Sequence, residues 1–139
     1  MAHPTSPPPA SLRWLRWAAL AHAVTVFGQP VFAGVYLSGS IRGLELHARG
    51  ADIVFALGLL QLVLAFIVTV QARRWWPTVL SVLLVAAETT QYIAGLDGTL
   101  WLHLPLGVAV VAGAAITAMA LWMLPSPARL RAERSVADA

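Results

Sequence analysis

Apolar residues run along the chain in four long blocks, each bounded by arginines, glycines, prolines or tryptophans. Arg13, Trp14, Arg16 and Trp17 precede the first block, residues 18–37, which predicts a membrane helix behind a basic, aromatic flank. Pro30 inside it removes a backbone donor and is expected to kink the helix. The block is longer than the ~7–15 apolar residues of a cleaved signal peptide, so it is expected to be retained. Residues 38–43 (SGSIRG) read as a turn. A helical pattern begins near Leu44 and ends at Arg73 and Arg74, giving a second span over about 48–70. Trp75, Trp76 and Pro77 open a third span over 76–94, where an N-terminal proline costs nothing. After Gly95, Asp97 and Gly98 a fourth span covers 101–124, stopped by Pro125 and Pro127.

Each block approaches the ~20 residues that cross ~30 Å of hydrocarbon. The predicted fold class is all-α, an integral membrane four-helix up-and-down bundle over residues 12–124. A disordered proline-rich tail at 1–11 and an arginine-containing tail at 125–139 flank it.

Composition excludes the soluble alternative. The chain is 59% hydrophobic and 11% charged, with a mean hydropathy of +0.76, which leaves too little polar surface to cover a globule. All nine basic residues are arginines, and they stand at the ends of the blocks rather than along one face. That is a topology signal and not a nucleic-acid footprint. Seven lie in the tails and the second-to-third loop, while Arg42 and Arg49 lie in the first loop. Both termini are therefore expected in the cytoplasm of a multi-pass membrane protein; the bacterial cytoplasmic (inner) membrane is what the family resemblance given below implies. There is no cysteine, so disulfides, thiolate ligands and covalent haem attachment are excluded.

The candidate chemistry follows from depth. His47 opens the second span and His103 the fourth; these helices run in the same direction, so both imidazoles sit at the extracytoplasmic end. Eleven residues on, within about 20° of the same helical face, come Gly58 under His47 and Ala114 under His103. Gly107 and Thr117 extend the second stripe. Small residues of this kind form either a cofactor slot or an ordinary helix contact. The two halves also echo each other, Gln29 and Gly34 before His47, Gln91 and Gly95 before His103, as two hairpin repeats about an axis along the membrane normal. Such an axis would bring His47 and His103 face to face as the two metal ligands of a b-type haem. Arg49 would then serve the propionates, or pair with Glu45 or Asp52.

Polar groups inside the spans invite a functional reading. Glu88 is expected to face the interior, bonded to Gln61, Gln91 or a histidine; Gln29 and Gln61 read as interhelical hydrogen-bonding residues. His22 shares a face with Gln29 and Tyr36 but lies toward the cytoplasmic end, too deep to join His47 and His103 on one iron, and a second haem using it has no visible second ligand.

Glu45, Leu46, His47, Ala48, Arg49 and the run from Leu102 through His103 to Gly107 resemble a family of small four-helix integral membrane proteins of bacteria. More remotely they resemble one half of heme A synthase. The resemblance covers roughly residues 18–124. It implies haem ligation by His47 and His103, with Glu45 approximating the acidic residue before the first ligand. Only one half is present, so the resemblance implies neither a second haem nor the synthase activity.

The expected function is that of a cytochrome b-like protein for electron transfer or haem handling, not an enzyme by itself. Its expected partners are the lipid bilayer and, for a redox role, a quinone or respiratory-chain proteins; the pattern is also compatible with a homo-oligomer, and nucleic acid is not among its partners. Two other readings stand beside it: a cofactor-free structural or assembly subunit, and a small proton- or solute-conducting protein using Glu88.

Overall fold

The computed structural model describes residues 9–124; residues 1–8 and 125–139, which hold most of the two expected tails, lie outside the described residues. Four helices follow one another: α1 (Ala10–Leu37), α2 (Ile41–Ala72), α3 (Trp76–Leu96) and α4 (Leu100–Met123). All four are long and apolar enough to cross a membrane, and the chain is a multi-pass membrane bundle. Its outer surface agrees with that setting, since Phe27, Val31, Phe66, Val108 and Met119 are exposed along the helices while few charges are. Tryptophans 14, 17, 75 and 122 gather at one end of the bundle.

The helices form a ring in which α1 packs on α2, α2 on α3, α3 on α4 and α4 on α1. Three-residue connections force neighbours to be antiparallel. Diagonal pairs, α1 with α3 and α2 with α4, meet only through side chains that reach across the middle.

Two helices start earlier than hydropathy indicates. α1 begins at Ala10 and not near residue 18, so Ser11 is helical and donates to Gln71 Oε1 at 2.6 Å. The reason lies in Arg16, which hydropathy treats as a flank. Its guanidinium donates to the carbonyls of Leu121 (2.9 Å) and Leu124 (2.6 Å), satisfying oxygens that the end of α4 would otherwise leave bare. Trp17 and Trp122 pack edge to face beside it. α2 likewise begins at Ile41 and carries Arg42 and Arg49 on its exposed faces.

The apolar core sits in the half of the bundle that holds the chain ends of α1 and α4. Leu12, Leu15, Ala19, Ala65, Val68, Leu84, Ala118 and Leu121 fill it. Beyond Val26 no residue of α1 is buried, and before Val110 none of α4 is. The opposite half is therefore left to polar groups and a cavity. α1 runs through Pro30 as one helix, with the carbonyl of Val26 lacking its usual donor.

At the α1–α2 turn the backbones nearly touch, because a Cβ on Gly43 would overlap the backbone of Tyr36 and Val35. Backbone cannot swing aside as a long side chain can. Gly43→Ala is expected to destabilise the bundle by ~1–3 kcal/mol, the usual cost of overpacking, read as a lower midpoint in denaturant titration of the detergent-solubilised protein.

Candidate functional site

His47 and His103 converge from diagonal helices, with ring centroids 6.0 Å apart and ring planes at 70°. Each is held the same way. His47 Nδ1 lies 3.2 Å from the carbonyl oxygen of Gln29, and His103 Nδ1 lies 3.0 Å from that of Gln91. A carbonyl oxygen only accepts, so each neutral ring carries its proton on Nδ1, and Nε2 keeps its lone pair for a ligand.

Glycines make this close approach possible. A Cβ on Gly50 would strike the side-chain amide of Gln29, and one on Gly107 would come within 2.8 Å of Gln91 Nε2. His103 itself lies over Gly95, whose added Cβ would be 2.9 Å from Cε1. Gly34, in contrast, meets nothing within 4 Å, so the corresponding place on α1 is open.

That open place belongs to a cavity of about 450 Å³ lined by residues of all four helices. Its wall is almost wholly apolar, from Val26, Ala33, Val54 and Phe55 to Val108 and Val111, with His47, His103, Gln29, Gln91, Glu88 and Tyr92 as the residues that carry polar groups. Both side-chain polar atoms of Gln29 and the Oε1 of Gln91 are buried with no protein partner. Polar atoms left bare in a membrane interior cost free energy.

Beneath the cavity lies a second diagonal contact. His22 Nε2 is 2.9 Å from Glu88 Oε1, and both side chains are buried. The approach is close but off the angle of a good hydrogen bond, and Glu88 Oε2 has no partner at all. On its other side His22 Nδ1 is 3.0 Å from Gln61 Oε1; Gln61 Nε2 donates to Ser81 Oγ at 3.2 Å, and Ser81 donates to the carbonyl of Pro77 at 2.8 Å. The direction of this chain is fixed by the single hydroxyl hydrogen of Ser81. Since that hydrogen goes to Pro77, Ser81 must accept from the Gln61 amide, and the Gln61 oxygen must accept from His22 Nδ1–H.

Several sequence expectations change here. Gly58 shares a helical face with His47 but lies three turns deeper, about 16 Å at 1.5 Å per residue. It packs against Glu88 and His22, a Cβ there falling 2.6 Å from Glu88 Oε2, and it does not line the cavity. His22 lies deeper in the bundle than expected: with α1 beginning at Ala10 it falls near mid-helix, level with Glu88. Glu88 does face the interior, 2.9 Å from a histidine nitrogen, and His22 stands between it and Gln61. Gly107 lines the cavity as its spacing suggested. Arg49 is exposed and, among the described residues, pairs with neither Glu45 nor Asp52; Asp52 accepts instead from Tyr92 at 3.3 Å.

Gly50 and Ser81 escaped the sequence reading. Gly50 stands one turn after His47 much as Gly107 stands one turn after His103, and that parallel was the available signal. Ser81 gave none.

Comparison of the chain with family models, with curated proteins and with solved structures returns no match, so the reading below rests on the site alone.

Proposed function

We propose that this membrane bundle binds one b-type haem between His47 and His103 and serves electron transfer or haem handling. The observation that carries the reading is the separation of the two imidazoles. Their centroids are 6.0 Å apart and both Nδ1 atoms are engaged by carbonyls, so His47 and His103 would hold one haem iron between them through Nε2. Among the described residues no group of three or more metal-ligating side chains exists, so a site of higher protein coordination has no support, whereas a haem needs only two axial ligands.

Other features of the site fit the same group. Hydrogen bonds from Nδ1 to a backbone carbonyl orient the rings and raise the basicity of Nε2, as partners of metal-bound histidines do. The cavity's 450 Å³ falls in the range of cofactor pockets, ~300–1,000 Å³, and its wall is apolar as a macrocycle requires. The unpartnered amide of Gln29 offers a donor and an acceptor to its edge, and that of Gln91 an acceptor. Arg42 and Arg49, exposed at the histidine end, are the cations available to propionates. When bound, such a haem supplies reversible one-electron chemistry; the chain's part is to hold both rings in one tautomer and keep lipid from the metal.

The same Gln-carbonyl-to-His pairing in both halves supports a descent from two hairpin repeats, and the arginine distribution supports cytoplasmic termini. A quinone or a respiratory-chain protein is the natural class of redox partner.

Absorbance spectroscopy of the purified protein tests the reading. A Soret band that sharpens on reduction, in about one-to-one stoichiometry with the chain, is expected. A protein that stays colourless after incubation with hemin in detergent refutes it and leaves a cofactor-free assembly subunit as the better account.

A further inference from the structure

Three of the four seams between neighbouring helices are tied at the level of the histidines. Between α1 and α2 the Gln29 amide lies against Gly50 while the Gln29 carbonyl holds His47, and between α3 and α4 Gln91 lies against Gly107 while its carbonyl holds His103. Tyr92 donates to Asp52 at 3.3 Å between α3 and α2. The seam between α4 and α1 differs. Among the described residues its hydrogen bonds and ring contacts all lie at the tryptophan end, where Arg16 reaches the carbonyls of Leu121 and Leu124 and Trp17 meets Trp122.

The two helices are antiparallel, so positions equally far from Trp17 and Trp122 share a level. Gly34 and Pro105 are such a pair, ~25 Å from the tryptophans at 1.5 Å per residue, which sets Leu104 and Val108 at the heights of Val35 and Val31. A side chain on Gly34 would meet nothing within 4 Å. The cavity-lining residues that are also exposed gather here: Pro30, Gly34 and Leu37 on α1, Leu104 and Val108 on α4, with Tyr92 of α3 the one other. None of the five at the seam has a polar side chain. On α1 they run from Leu37 down to Pro30, ~10 Å at 1.5 Å per residue, so the cavity opens as a slit in the side of the bundle, where hydrocarbon lies in a membrane.

We propose that this slit is the entrance to the cavity, and that the seam between α1 and α4 admits a ligand sideways from the bilayer, already dissolved in lipid. Resting on the reading above, that ligand is haem. The slit offers only apolar side chains, which suit the face of a macrocycle, while the polar groups wait inside: the free Nε2 atoms of His47 and His103, the amide of Gln29 and Oε1 of Gln91. Widening the slit breaks no hydrogen bond, because among the described residues none crosses the seam beyond Trp17, and the clasp at Arg16 keeps the two helices together while their other ends part. A ligand received this way is drawn from the membrane and not from a water-borne carrier.

The chain has no cysteine, so single thiols introduced by Gly34→Cys, Val108→Cys and, as a control exposed on α2 away from the cavity, Phe66→Cys each report one position. With a nitroxide on each thiol and the protein in lipid nanodiscs, collisions with oxygen, which dissolves in hydrocarbon, are compared with collisions with a water-soluble nickel chelate. Oxygen should dominate at positions 34 and 108 as it does at 66. Dominance of the chelate at 34 and 108 alone overturns the entrance from lipid, whether or not haem binds. In a second arm a benzyl group is attached to the thiol through a disulfide, and hemin-loaded vesicles are then added. Uptake, read from the Soret band, should slow by about tenfold with the plug at 34 or 108, since entry then needs a local opening. Reduction of the disulfide should restore the rate, and the plug at 66 should leave it unchanged. Attached after loading, the plug should slow loss of haem to a water-soluble scavenger. Uptake untouched by both seam plugs, or bound haem expelled by them, overturns the proposal. A native chain that never takes up hemin removes the haem reading, and oxygen-dominated collisions at 34 and 108 would then leave the entrance standing for another lipid-dissolved ligand.

Discussion

His47→Ala and His103→Ala should each abolish the low-spin haem spectrum, and to the same extent. Six-coordinate, low-spin iron needs both axial imidazoles, and the cavity has no third one to substitute, because His22 lies a layer below and is engaged by Glu88 and Gln61. The loss should exceed the ~10–100-fold that removal of an outer partner of a metal ligand causes. Replacement by glycine with free imidazole added should restore the band, since the space vacated matches the missing ring. Haem affinity and the reduced-minus-oxidised spectrum are the quantities to measure. The bis-histidine assignment would be overturned by a His103→Ala protein that keeps its low-spin band while His22→Ala loses haem.

Removing either member of the lower pair should instead cost stability. His22→Ala leaves Glu88 buried, with both carboxyl oxygens bare and its ionised form uncompensated. Breaking a buried pair in this way costs ~3–5 kcal/mol, whereas replacing both partners with apolar residues of similar size is often neutral. Unfolding of the detergent-solubilised bundle should accordingly show a large loss for His22→Ala and for Glu88→Ala. The double variant His22→Leu with Glu88→Leu should recover most of it. Single variants within ~1 kcal/mol of the native chain would mean that water already solvates the pair, as it does for surface ion pairs.

Together the two results would separate the layers. Histidine substitutions at the upper layer should change the spectrum more than the stability, and substitutions at the lower layer the reverse, because only the lower pair is sealed within the packed part of the bundle.

What the amino-acid sequence determined by itself was the number of helices, their order and the depth of His47 and His103. Apolar runs of sufficient length must cross a bilayer as helices, and short connections make alternate helices parallel, so a residue at the head of α2 must share a level with one at the head of α4. The same periodicity placed Gly107 on the face of His103. It could not say which side chains Gly58, three turns below His47, would meet from the other helices. Tertiary structure alone decided where α1 begins, because the arginine that extends it is satisfied by carbonyls of α4, more than a hundred residues away in sequence. It also decided which polar groups meet. A helix's periodicity fixes the face a side chain shares with its neighbours on that helix, but the rotation of one helix against another is set by how closely their glycines let them approach. Gly43 lets the backbones of α1 and α2 touch at their turn, while Gly50, Gly58 and Gly107 leave room for the side chains of Gln29, Glu88 and Gln91.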